Sequence, residues 1–252
     1  MFRLMFGGKK ETFKPVRVHA PGSKREQYSN FTLKTLGSGD ITGAVKLPPG
    51  EDLNEWIAAN TVDFYNELSL IWGIICDVGV PPVEVGCGFP PGFQYFRSGT
   101  TALFKAAPAT SCSGPEYVEY VMNWVDREIN NDALFPTNPA TPFPKNFLQS
   151  VKVIFTRLFR IFAIVYYHHY AQLEESGAVS HLNTSFKHFI FFIWEYDLVA
   201  EAEQEALQDI IKEIRLRHAA AFPHRAAAHL TGSAGGVVSG SSSGPPSVEG
   251  DK

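Results

Sequence analysis

The sequence predicts a mainly α-helical bundle with one small β-hairpin and flexible ends. Apolar residues recur at helical spacing over several long stretches, the links between them are short and turn-rich, and the last segment collapses to Ala, Gly, Ser and Pro. With 44% hydrophobic and 13% aromatic residues, the 252-residue chain has material for one sizeable core.

Residues 1–29 read as a flexible basic arm. Arg3, Lys9, Lys10, Lys14, Arg17, Lys24 and Arg25 outnumber Glu11 and Glu26, and Pro15 and Pro21 prevent a continuous helix. Residues 30–216 form the predicted helical domain. It opens with a short helical piece over 33–45, broken by Gly37-Ser38-Gly39. That Gly-Ser-Gly is no phosphate loop, because no Gly-Lys-Ser/Thr follows and no strand precedes it. The first long helix is expected over 52–75, with Glu51 and Asp52 suited to its positive N-terminal end.

A Pro- and Gly-rich excursion follows over 78–91. Alternation over 93–97 and 102–105 predicts the hairpin, with Ser98-Gly99-Thr100 as its turn. Helices are then expected over 115–131, with Pro115 in the tolerated first turn, and over 145–172, 183–196 and 200–217. The last of these puts Leu207, Ile210, Ile211 and Ile214 on one face. Short loops favour antiparallel neighbours in a bundle. The 217–252 tail has too little apolar surface to offset its ordering entropy and should be disordered.

Bulk properties remove several function classes. A net charge of −4 is too mild to indicate nucleic acid or a membrane surface. No stretch reaches the ~18–20 uninterrupted apolar residues of a membrane span, and the N-terminal apolar run is too short for a signal peptide. Cys76, Cys87 and Cys112 are too few for a disulfide framework, which favours a reducing, cytoplasmic compartment. There is no Gly-x-Ser-x-Gly, no His-Glu-x-x-His and no kinase signature set. No histidine lies beside a cysteine or serine nucleophile in sequence, so a non-catalytic protein is expected. A site assembled from distant residues stays open at this point.

The first long helix carries two signals. At about 100° per residue, Leu53, Ile57, Phe64, Leu68 and Ile71 fall within an arc of ~60°, a stripe to bury. Glu51, Asp52, Glu55 and Asp63 fall within another of ~120° on the far side. Trp56 borders that acidic arc and Val62 lies within it, so both are candidates for apolar contact with a partner. An acidic face on an anchored helix suits docking of something basic, although most such stripes are simply solvated faces.

The wording of the helix decides further. Leu47-Pro48-Pro49-Gly50-Glu51-Asp52-Leu53-Asn54-Glu55-Trp56-Ile57 resembles the Mob/phocein family of kinase activators. So do Glu11-Thr12-Phe13-Lys14-Pro15, Thr35-Leu36-Gly37-Ser38-Gly39, Leu134-Phe135-Pro136 and Pro142-Phe143-Pro144-Lys145-Asn146-Phe147. Arg157-Leu158-Phe159-Arg160 and His181-Leu182-Asn183-Thr184-Ser185-Phe186-Lys187-His188-Phe189 complete the set, which looks most like the subgroup that activates NDR/LATS-type kinases.

The resemblance implies a Mob-like fold and a kinase adaptor of Hippo/NDR signalling and the cell cycle. It is compatible with a cytoplasmic, nuclear or cytoskeleton-associated location. It implies that Glu51, Glu55 and Asp63, with Trp56 beside them, bind the basic N-terminal extension of an NDR/LATS-type kinase. It implies that Thr156, Arg157 and Arg160 receive a phosphopeptide of an upstream Hippo/MST-type kinase, although the family prefers lysine where Thr156 stands. Arg157 and Arg160 are helix neighbours whose planar forks suit phosphate; pairing with carboxylates of another helix is the competing reading. Thr12 and Thr35 match family phosphorylation positions, which implies a switch in which the basic arm covers the acidic face until modified. A scaffold of a phosphatase-associated complex is the alternative function within the family.

The family also carries a structural zinc, and here the pattern fails. Its ligand positions correspond to Gly79, Glu84, Ile164 and His169, so only His169 is kept. A rearranged site using Cys76, Cys87 and a histidine stays open, but no metal and no cofactor are expected.

Overall fold

In the computed structural model, the structure describes residues 18–28, 30, 39, 41–97 and 109–221. The elements are α1 (Ile41–Val45), α2 (Leu53–Val78), β1 (Phe96–Arg97), β2 (Thr110–Ser111), α3 (Gly114–Ile129), α4 (Phe147–His168), α5 (Tyr170–Glu175) and α6 (Val179–Glu195). A 3-10 turn (Glu201–Leu207) and α7 (Gln208–Ala221) complete the order. The chain divides into two compact units, residues 1–208 and 209–252.

The central element of the first unit is α2, which packs against α3, α4, α5 and α6. Asp52 starts it by accepting a hydrogen bond from the Glu55 N–H at 2.9 Å, one of the donors a helix start leaves unpaired. Gly79 ends it at φ 118, a backbone geometry that favours glycine. The expected stripe is buried at Ile57, Phe64, Leu68 and Ile71, but Leu53 is 38% exposed because it sits on the first turn. Buried Thr61 and Asn60 bond back to the carbonyls of Ile57 and Trp56, so the polar atoms that donate are satisfied within the helix.

The core is aromatic. Phe64 meets Phe155, Phe189 and Phe192 edge-on at 5.2–5.7 Å, and Phe155 stacks on Phe189 and Phe192. One charged cluster enters it: the Ser185 hydroxyl donates to Glu67, and the His188 ring lies 3.9 Å from the same carboxylate. Burial works to raise the Glu67 carboxyl, yet His188 and Ser185 outweigh it and hold the group below its usual range.

Three expectations change in detail. β1 pairs antiparallel with Thr110–Ser111, Phe96 opposite Ser111, so the expected partner strand over 102–105 is replaced; that stretch and its turn lie outside the described residues. The helix expected over 145–172 is broken at His169, and the one expected over 200–217 begins as a 3-10 turn. Ser113 and Glu116 form a reciprocal capping box that starts α3. Beside it, Gly88 and Gly114 cross so closely that a Cβ on Gly114 would lie 2.0 Å from the Gly88 oxygen. No described helix is long and apolar enough to cross a membrane. Within the second unit, α7 carries the ion pairs Lys212–Asp209 and Arg217–Glu213 along itself.

Candidate functional site

Of the predicted acidic residues, Glu51 just before α2 and Glu55 and Asp63 on it each pair with a side chain from residues 19–25. Lys24 Nζ reaches both carboxylate oxygens of Glu51 at 3.0 Å. Arg25 Nε donates to Glu55 at 2.8 Å, while its Nη2 donates to the Pro136 carbonyl at 2.7 Å. The Arg25 guanidinium also lies 5.7 Å from the Phe143 ring centre. His19 Nε2 approaches Asp63 at 3.1 Å. Passing from His19 to Arg25, the partners step back from Asp63 to Glu55 and Glu51, so this segment runs opposite to α2. Residues 24–28 form a helical turn at its end.

Tyr28 completes the arrangement. Its hydroxyl donates to Glu51 at 2.6 Å, and its ring stands edge-on to Trp56 at 5.4 Å. The Tyr28 hydrogen bond, followed by Lys24, holds the Glu51 carboxyl below its usual range. Burial, reinforced by Glu51, pushes the Tyr28 phenol up. Trp56 departs from expectation: it is fully buried beneath Tyr28 and presents no surface in this arrangement, and Val62 is likewise buried. Asp52 faces its own helix as the cap. The pairing of basic arm with acidic helix is what the family resemblance implies and the charges suit, but the roles of His19, Tyr28, Pro136 and Phe143 are not legible in the sequence, because each contact spans a long stretch of chain. Thr12 and Thr35 lie outside the described residues.

The second predicted site also comes together. Thr156, Arg157 and Arg160 of α4 line one cavity of about 440 Å3 with Gln149, Lys152 and Asp197. Arg160 is not idle there: it bonds Glu203 through Nη2 at 2.8 Å and lies 5.0 Å from the Tyr95 ring. Arg157 lies 4.2 Å from the ring of Trp124. The competing reading from sequence, pairing with a carboxylate of another element, therefore holds for Arg160. Lys152, which the sequence reading missed, stands one helical turn before Thr156 and supplies a further cation.

The positions that correspond to the family's zinc ligands do not fit an ion. Gly79 and Ile164 offer no donor atom, and Ile164 is fully buried. Among the described residues no group of three His, Cys, Asp or Glu side chains is placed to hold a metal. His169 sits instead against Trp72, ring centres 5.2 Å apart. Burial, then neighbouring His168, pushes its pKa down to about 4. His168 Nε2 donates to the Phe89 carbonyl at 2.7 Å and so ties the 79–92 loop to the end of α4.

The Mob1/phocein family model matches residues 33–207 of the chain. The chain is 40% identical over 214 residues to MOB kinase activator-like 1 homolog A of Dictyostelium discoideum, covering 83% of this chain and 97% of that protein. It is 41% identical over 203 residues to MOB kinase activator 3A of Homo sapiens, covering 80% and 92%. To MOB kinase activator-like 1A of Medicago sativa subsp. falcata it is 39% identical, covering 81% and 94%.

Proposed function

The chain belongs to the Mob1/phocein family, and from that premise we propose that it is a non-catalytic co-activator and adaptor of an NDR/LATS-type Ser/Thr protein kinase. Its relatives named as kinase activators support the general role. The observation that carries the specific reading is the α2 face, where Glu51, Glu55 and Asp63 already hold Lys24, Arg25 and His19 of a segment whose last turn is helical. A basic helical extension of a kinase would make the same pairs and displace residues 18–28. Opposite charges across such a surface steer encounter and select the partner. Ordering the extension on α2 would raise the population of the active kinase.

Two inputs fit this reading. Phosphorylation at Thr12 or Thr35 by an upstream Hippo/MST-type kinase adds about −1.5 to −2 charges to the chain's N-terminal region, which weakens its hold on an acidic face. A phosphopeptide of that kinase would sit in the cavity of Thr156, Arg157 and Arg160. The protein would work in the cytoplasm, with a nuclear or cytoskeleton-associated pool.

Affinity capture of kinases with wild-type protein and with Glu51→Lys/Glu55→Lys tests the reading. Capture should fall about 100-fold in the variant, while Arg25→Ala, which loosens the covering segment, should raise it. Equal recovery of every kinase by all three baits would refute the docking face.

A further inference from the structure

The cavity on α4 is a cationic site whose charges are already engaged. Lys152, Thr156 and Arg160 recur every four residues, so their side chains share one stripe of the helix. The opposite wall is the turn after α6, with Asp197, Leu198 and Ala200. Lys152 Nζ is 2.9 Å from Asp197 Oδ2. Arg160 reaches Glu203 Oε2 with Nη2 at 2.8 Å and Nε at 3.3 Å.

The backbone holds Asp197 in that position. Its φ of 50 is the left-handed region, which Asp and Asn adopt more readily than other side-chain-bearing residues. The next residue anchors the turn, since the Leu198 N–H donates to the Ile193 carbonyl at 3.0 Å. Both ion pairs are partly wet: the side chains of Lys152 and Asp197 are 47% and 88% exposed, those of Arg160 and Glu203 26% and 40%. Such pairs give way to a stronger anion at small cost.

A carboxylate carries one charge and two oxygens. A phosphomonoester carries about −1.5 to −2 charges and three acceptor oxygens, and guanidinium groups bind it with charge-assisted bonds. Resting on the reading of this cavity as a phosphopeptide site, we propose that Asp197 and Glu203 are built-in stand-ins for the ligand. They occupy Lys152 and Arg160 until a phosphorylated side chain displaces them, and Lys152 provides the cation that Thr156 does not. A peptide carboxylate has no advantage over the resident ones, so the cavity selects phosphate over its acidic mimics.

Fluorescence anisotropy tests this with a short labelled peptide centred on phosphothreonine, its unphosphorylated twin, and the full chain. Asp197→Asn keeps a residue suited to the left-handed turn while removing the competing charge; Glu203→Gln does the same for Arg160. Each should bind the phosphopeptide about two- to five-fold more tightly than wild type. Lys152→Ala should bind it about tenfold more weakly, and the unphosphorylated twin should bind none of them. If wild type binds the phosphopeptide and both Asp197→Asn and Glu203→Gln bind it equally or more weakly, the stand-in role is wrong and the phosphopeptide reading survives. An undiminished Lys152→Ala removes Lys152 from the site. No binding by any protein, wild type included, overturns the phosphopeptide reading and this inference with it.

Discussion

From just before α2 through its first half, Glu51, Glu55 and Asp63 meet Lys24, Arg25 and His19. At its far end, Gly79 leads into a loop held by the His168–Phe89 hydrogen bond, the Gly114 N–H to Cys87 carbonyl bond at 2.8 Å, and Phe89 edge-on to Tyr95. The first end is fastened by ion pairs near solvent, which is why an exchangeable cover is proposed there. The second is fastened by backbone and ring contacts, with the buried His169 beside it against Trp72. One helix thus has an ion-paired end, the one proposed for docking, and a structural end, and salt and pH should act on them differently.

The largest effect should come from beneath the docking end. Trp56→Ala removes a fully buried indole and should cost about 3–5 kcal/mol in denaturant unfolding. A loss below about 1 kcal/mol would mean that Trp56 belongs to the docking surface rather than to its support.

The structural end should respond to acid. His169 is buried, with a pKa pushed from 6.5 down to about 4. Between those values the unfolded chain takes up a proton that the folded chain refuses, so stability falls as pH drops from about 6.5 to 4. The full loss is about 3 kcal/mol, and His169→Phe should flatten that part of the profile. An unchanged acid profile in His169→Phe would place the pH sensitivity elsewhere, with the Glu67–His188 pair the next place to look.

The smallest effect tests the loop fastening. His168→Ala should cost about 1 kcal/mol and speed hydrogen exchange at residues 86–92 while leaving the amides of residues 55–63 unaffected. Equal acceleration at both ends would show that the two ends of α2 are coupled rather than separate.

Much of this was legible locally. Helical spacing located α2, α3, α4 and α6, and Asp52 announced the start of α2 because a capping carboxylate leaves a recognisable sequence signal. The acidic arc followed from the same geometry. Local pattern failed where a distant residue decided the outcome. Trp56 looked like a border residue because Tyr28, its cover, lies outside the helix period. The break at His169 was hidden in a run that is helical on both sides. Thr110–Ser111 is only two residues long, too short for alternation to reveal it as the partner of β1. The cavity residues were identified through family wording, but their engagement by Asp197 and Glu203 required the fold.

The edge-on contact of Tyr28 with Trp56 has an optical consequence. Any ligand that lifts residues 18–28 from α2 uncovers an indole that is otherwise dry, and water at that ring shifts its emission to longer wavelength. The chain therefore carries an intrinsic fluorescent gauge for the uncovering of its own acidic helix, readable without a label.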